Sequence, residues 1–167
     1  TYDRAHPEES YPFKIGAPCH ESLGEVVESR SSELSVGDKV IVLPTETGGL
    51  IEYMAESPDR CIKIPSDGDL SVWMMAQPVG TVMYAIQQAD SVLGKRVAIL
   101  SQGAIGLAFA QLIARAGARQ VIVTDILDYR LEAAKKAGAT HTINAEREDV
   151  VAAVTEITEG AMVDIAI

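Results

Sequence analysis

The 167 residues suffice for one compact domain or for parts of two. Hydrophobic residues make up 47% and charged residues 23%, a globular profile that excludes wholesale disorder. The formal charge of −10 argues against DNA or RNA as a partner, because binding a polyanion needs a cationic face that displaces counterions. The acid is unevenly placed. Residues 1–70 hold 14 acidic and 6 basic side chains, residues 71–167 hold 10 and 8, so two regions with different surfaces are expected. Cys19 and Cys61 lie far apart with no C-x-x-C spacing, which predicts reduced thiols and a cytoplasmic setting rather than a disulfide scaffold. Thr1–Ser10 is polar and charged, unlike a secretory leader. The long apolar run Gly103–Ala118 is broken by Gln111 and Arg115, so no membrane span is expected. The sequence opens without methionine and stops inside the strand-like run Val163–Ile167, and a longer natural protein is the expectation.

In chain order, the first third reads as β structure. Glu25–Glu28, Lys39–Leu43, Leu50–Ala55 and Cys61–Ile64 are short β-branched or apolar runs. Gly37-Asp38, Gly48-Gly49 and Pro65–Gly68 punctuate them as turns, which suits a small antiparallel barrel or sandwich. From Leu70 the texture changes. Ser71–Gln77 and Val79–Ala89 carry apolar residues at helical spacing and are expected as two helices separated by Pro78. Arg96–Leu100, Gln120–Thr124, Thr140–Ile143 and Met162–Ile167 then read as strands. They alternate with helices over Ile105–Ala116, Tyr129–Ala137 (stopped by Gly138) and Asp149–Ile157. That alternation predicts an α/β region, a Rossmann-type doubly wound parallel sheet with helices on both faces, incomplete at four strands. The expected domains are residues 1–70 and residues 71–167.

The turn after the first of these strands carries the clearest chemistry. Val97-Ala98-Ile99-Leu100-Ser101-Gln102-Gly103-Ala104-Ile105-Gly106 places Ser101, Gly103 and Gly106 at the marked positions of G-x-G-x-x-G. In such a turn the first position makes the tight bend and the second admits a pyrophosphate to the backbone. The third lets helix pack on strand. Ala104, Ile105 and Gly106 open a helix whose free N–H groups and positive dipole end suit phosphate. Serine in place of the first glycine predicts some backbone strain. Asp125, nineteen positions after Gly106, stands where an acid accepts hydrogen bonds from the adenosine ribose, which points to NAD rather than NADP. Arg130 either reaches the same ribose or sits on the helix surface. The bland alternative is an ordinary strand-to-helix turn. The strand before, the helix after and Asp125 in register favour dinucleotide binding.

With these segments in place, the sequence resembles the medium-chain dehydrogenase/reductase family, the zinc-containing alcohol dehydrogenases and their polyol relatives. Its G-H-E-x-x-G-x-V segment is matched by Cys19-His20-Glu21-Ser22-Leu23-Gly24-Glu25-Val26, with cysteine for the first glycine. Gly37-Asp38-Lys39-Val40 matches G-D-x-V, and Gly48-Gly49-Leu50-Ile51-Glu52-Tyr53 matches G-G-x-x-E-Y. The resemblance runs from about residue 15 to the last residue. It implies part of a GroES-like β domain joined to the Rossmann-type domain. His20 takes the place of a catalytic zinc ligand, Glu21 that of the neighbouring acid or alternative ligand, and Gln77 that of the third ligand. Thr1 would be a proton-relay hydroxyl and Thr81 would lie against the nicotinamide. His6 and His141 fall in no such context and read as surface residues.

Departures from the pattern bear on the metal. Gln77 offers a neutral amide oxygen, a weaker zinc ligand than thiolate or carboxylate, where the family carries Cys or Glu. The upstream ligand cysteine has no match in the sequence, and only nine residues, Lys39–Thr47, none a cysteine, separate Gly37-Asp38 from Gly48-Gly49. No structural zinc lobe is therefore expected. The leading expectation is an NAD-dependent enzyme interconverting an alcohol with a ketone or aldehyde by zinc-assisted hydride transfer. Its partner is a small alcohol or carbonyl substrate, and it is a homo-oligomer at full length. The alternatives are a zinc-free reductase of the same superfamily and a dinucleotide-binding module without turnover.

Overall fold

In the computed structural model the described residues are 12, 16–17, 19–45, 48–89 and 91–167. They divide into two units, Thr1–Gln77 and Pro78–Ile167. In the first, β1 (Ser22–Glu25), β2 (Lys39–Val42) and β3 (Cys61–Lys63) form an antiparallel sheet of order β1-β2-β3. Val40, Ile41 and Val42 of the central strand are buried. Residues 26–28, expected within the first strand, lie outside it. The chain is already closing a turn there, with Val26 N–H donating to Asp38 O (2.9 Å) and Gly37 N–H to Val26 O (2.8 Å).

The strand expected at Leu50–Ala55 does not form. Both edges of β2 are already taken, by β1 and β3. The segment is tied instead through Gly49 N–H to Cys19 O (2.8 Å) and Leu50 N–H to Gly16 O (2.9 Å), with Leu50 and Tyr53 exposed. Arg60 closes the far side of the same loop. Its Nε donates to Leu43 O (2.6 Å) and its Nη2 to Pro44 O (3.0 Å).

Two helices follow, α1 (Leu70–Met74) and α2 (Ala76–Gln88), and here Pro78 does not separate them as expected. It is the third residue of α2, in the first helical turn. N–H groups there have no intrahelical partner, so a missing donor costs nothing. The break falls at Met75 instead.

The second unit is a parallel sheet of order β6-β5-β4-β7, built from β4 (Arg96–Leu100), β5 (Gln120–Asp125), β6 (His141–Asn144) and β7 (Ile165–Ala166). Alternation along β5 sorts its side chains to opposite faces. Val121 and Val123, with Val97 and Ile99 of β4, pack against Ala110 and Ile113 of α3 (Ala104–Arg115) and Leu131 and Ala134 of α4 (Asp128–Ala137). Ile122 and Ile143 turn the other way, onto Val154 of α5 (Val150–Ile157). Each fully buried Val or Ile contributes roughly 1.5–3 kcal/mol, so this two-sided core fixes the register of the strands. The fold is thus the expected Rossmann-type α/β arrangement, with helices on both faces.

Helix α4 ends at Gly138 as expected, at φ +116°, where a β-carbon would stand 2.7 Å from that of Ala114. One boundary moves for a local reason. Strand β7 begins three residues later than expected because Met162 sits at φ +60° in the preceding loop. Among the described residues no helix is long and apolar enough to cross a membrane.

Candidate functional site

Strand β4 pairs with β5 on one side and β7 on the other, so the chain's winding reverses at β4. In open α/β sheets ligands settle in the crevice at the carboxyl ends of the strands at such a point. Here that crevice encloses about 390 Å³ and is lined by Leu100, Ser101, Gly103–Gly106 and Phe109, with Ile167 across from them. The structure therefore brings Ser101, Gly103, Ala104, Ile105 and Gly106, expected together from the sequence, into one concavity.

The three marked positions are not alike. Ser101 adopts φ +72°, the left-handed conformation that glycine takes freely and an L-residue only at a cost of roughly 1–2 kcal/mol. Gly103 precedes α3 at φ −70°, and a β-carbon there meets nothing within 4 Å. Its lack of a side chain serves the open crevice, not the packing. Gly106 is the reverse: a β-carbon would overlap the Ser101 carbonyl oxygen and come within 3.0 Å of the carbonyl carbon. Helix α3 begins without a side-chain cap, whereas Asp149 caps α5. The first N–H groups of α3 thus face the crevice with the positive end of the helix dipole behind them.

Asp125, the last residue of β5, is bonded to the same turn. It is 5% exposed, its Oδ2 accepting from Gln102 N–H (2.6 Å) and its Oδ1 from Leu127 N–H (3.0 Å). Burial works to raise its pKa. The Gln102 and Leu127 N–H groups and the Arg130 charge outweigh burial and hold the carboxyl below its ordinary value. Each carboxylate oxygen keeps a further lone pair for a hydroxyl donor. Arg130 Nη1 stands 3.6 Å from Asp125 Oδ2, while the guanidinium also lies over the Tyr129 ring.

Gln102 is a residue that motif reasoning passes over, because its position in the turn is unspecified. It is fully buried. Its Nε2 donates to Ser101 O (2.8 Å) and Ile99 O (3.2 Å), and its Oε1 has no hydrogen-bond partner among the described residues. A buried unpartnered acceptor costs about 1–3 kcal/mol. The only signal in the sequence is a long polar side chain between residues that are otherwise small.

The residues expected at a metal belong to the first unit and to the start of α2. His20 Nε2 lies 3.9 Å from Glu21 Oε1, with side chains 62% and 41% exposed. Gln77 is half-buried in the first turn of α2, and Thr81 lies one turn further on, exposed. Thr1 falls outside the described residues, as does His6. His141, read as a surface residue, is half-buried at the start of β6, its Nδ1 2.9 Å from Thr140 Oγ1. Among the described residues no three His, Cys, Asp or Glu side chains gather as a metal site. A catalytic zinc takes three protein ligands and one open position; His20 and Glu21 are two donors of suitable chemistry, and Gln77 offers an amide oxygen, a weaker one. The dinucleotide cradle does fit its ligand, with open space at Gly103, uncapped N–H groups and a buried ionised acid.

Comparison with known proteins points to a family. A family model described as zinc-binding dehydrogenase matches residues 104–167. L-threonine 3-dehydrogenase of Bacillus subtilis is 30% identical over 152 residues, covering 90% of this chain and 44% of that protein. Sorbitol dehydrogenase of Bombyx mori is 30% identical over 166 residues, covering 82% and 47%. The chain spans about half the length of the curated relatives it matches. The crystal structure of the alcohol dehydrogenase from Aeropyrum pernix superposes with a TM-score of 0.73 at 27% identity, over 88% of this chain and 52% of that one. A glycine turn at the winding reversal, an acid in register behind it and these likenesses converge: the chain belongs to the medium-chain dehydrogenase/reductase family.

Proposed function

We propose that the protein is an NAD-dependent oxidoreductase that interconverts an alcohol with a ketone or aldehyde. The observation that carries the reading is the crevice at the end of β4, open at Gly103 and flanked by the buried carboxylate of Asp125. Gly103 leaves room for a pyrophosphate against the backbone, and the N–H groups of Ala104, Ile105 and Gly106 offer it donors. Asp125 accepts from the ribose hydroxyls and repels a 2′-phosphate, while Arg130 beside it moderates that repulsion. When bound, the nicotinamide supplies the hydride acceptor, and the protein's part is to hold and orient it. Thr81 is proposed to lie against the nicotinamide. Relatives named for threonine and sorbitol favour a small polyhydroxylated or amino-alcohol substrate, of polyol or sugar-alcohol type.

Zinc assistance belongs to the proposal through His20 and Glu21, a pair that needs donors besides itself. Glutamine at position 77, an amide where a charged ligand is usual, favours a zinc-free reductase of the same family as a second reading. A homo-oligomer is proposed for the full-length protein, and sedimentation equilibrium tests it.

Titration of the full-length protein with NADH, followed by nicotinamide fluorescence, tests the cofactor. Saturable binding that NAD competes for is expected, and no binding of either form refutes the reading. Metal analysis separates the two mechanisms. One zinc per chain, lost together with activity in His20→Ala, supports the first, whereas turnover by metal-free protein supports the second.

A further inference from the structure

We propose that Gln102 is a positioning residue that orients Asp125 toward the cofactor by locking one peptide unit, a role that rests on the dinucleotide reading above. The peptide joining Ser101 to Gln102 is held at both ends. Its carbonyl accepts from the Gln102 side-chain Nε2 at 2.8 Å, and its N–H donates to Asp125 Oδ2 at 2.6 Å. The same Nε2 reaches Ile99 O at 3.2 Å and so anchors the clamp to β4.

This peptide can turn about ψ of Ser101 and φ of Gln102, beside a residue already held at the strained φ of +72°. Such a rotation would swing the Gln102 N–H away from Asp125 and release one of the backbone donors that fix the carboxylate. It would also turn the Ser101 carbonyl, against which Gly106 is closely packed.

The side chain's own balance points to the same role. Gln102 is fully buried and leaves Oε1 without a partner among the described residues. Methionine, of similar length and volume, would fill the space without that penalty. What methionine lacks is the Nε2 donor, so the amide matters for holding the turn rather than for filling the core.

The test uses the full-length protein and isothermal titration with NAD and NADP. Gln102→Met should melt within a few degrees of the unmutated protein. It should bind NAD about tenfold more weakly, the size of one lost hydrogen bond, with NADP affinity little changed. A role in packing alone leaves the preference between NAD and NADP unmoved. Unchanged NAD affinity in folded Gln102→Met overturns the proposal, as does an equal loss of NADP affinity. If Gln102→Met does not fold, Gln102→Ala removes the same donor and is read by the same pair of titrations. Failure of the unmutated protein to bind either cofactor overturns the dinucleotide reading, and this proposal with it. Normal NAD binding with an indifferent Gln102→Met overturns this proposal alone.

Discussion

Two glycines three residues apart should fail in opposite ways. At Gly106 a β-carbon overlaps the Ser101 carbonyl oxygen, a backbone atom that no rotamer change can clear. Forcing such an overlap costs about 1–3 kcal/mol, and pushing that carbonyl from Gln102 Nε2 about 1 kcal/mol more. Alanine's better helix propensity returns about 1 kcal/mol, so Gly106→Ala should be destabilising by about 1–3 kcal/mol. At Gly103 nothing lies within 4 Å of the added carbon, and the φ of −70° suits any residue. Gly103→Val should therefore cost at most about 1 kcal/mol, from the poorer cap. Its branched side chain would occupy the crevice that the pyrophosphate needs. Thermal melting and NAD titration on both variants separate these effects. Gly106→Ala should lower the melting temperature by several degrees, and Gly103→Val should abolish cofactor binding in a protein that melts almost normally. A Gly106→Ala protein as stable as the parent would refute the packing argument. Unchanged NAD affinity in folded Gly103→Val would refute the placement of the cradle.

Asp125→Ala should narrow the preference for NAD over NADP. A 2′-phosphate about 4 Å from a carboxylate is repelled by roughly 4 kcal/mol per charge pair at an effective dielectric near 20. Arg130, 3.6 Å from that carboxylate, offsets part of this, so Arg130→Ala should widen the preference in paired dissociation constants. The pKa of Asp125 is lower folded than unfolded, so the stability it contributes is complete above about pH 4, its unfolded value. It is lost as pH falls through the folded pKa. Acid unfolding of Asp125→Asn should accordingly show a flatter pH dependence than the parent over that range. Arg60→Ala removes charged donors from Leu43 O and Pro44 O and should weaken the loop by about 1.5–3 kcal/mol, read as faster amide exchange at Leu43.

Much of the second unit was legible in the sequence because its signals are local. The run Val121-Ile122-Val123 is apolar on both faces, as a strand covered by helices on both sides must be, and β5 is such a strand. Arg96–Leu100 was placed to the residue, since Gly94 and the glycine turn bracket it. The helix stop at Gly138 followed from the same kind of local signal. The first unit was less legible. Its short strands pair across turns, and which run finds a partner depends on how many edges are free. Leu50–Ala55 has strand-like composition but lost the competition for β2 to β1 and β3.

The sequence by itself determined the parallel α/β winding, the position of the glycine turn and the register of Asp125 behind it, because each follows from spacing along one chain. Only the tertiary structure decided that Pro78 sits within a helix, that Arg130 turns to Asp125 and that Gln102 clamps the turn beneath it. These depend on which backbone groups are left without partners once the strands and helices have packed. That is a property of the assembled fold, since a carbonyl such as that of Ser101 acquires its need for a donor only when Gly106 and β4 have closed around it.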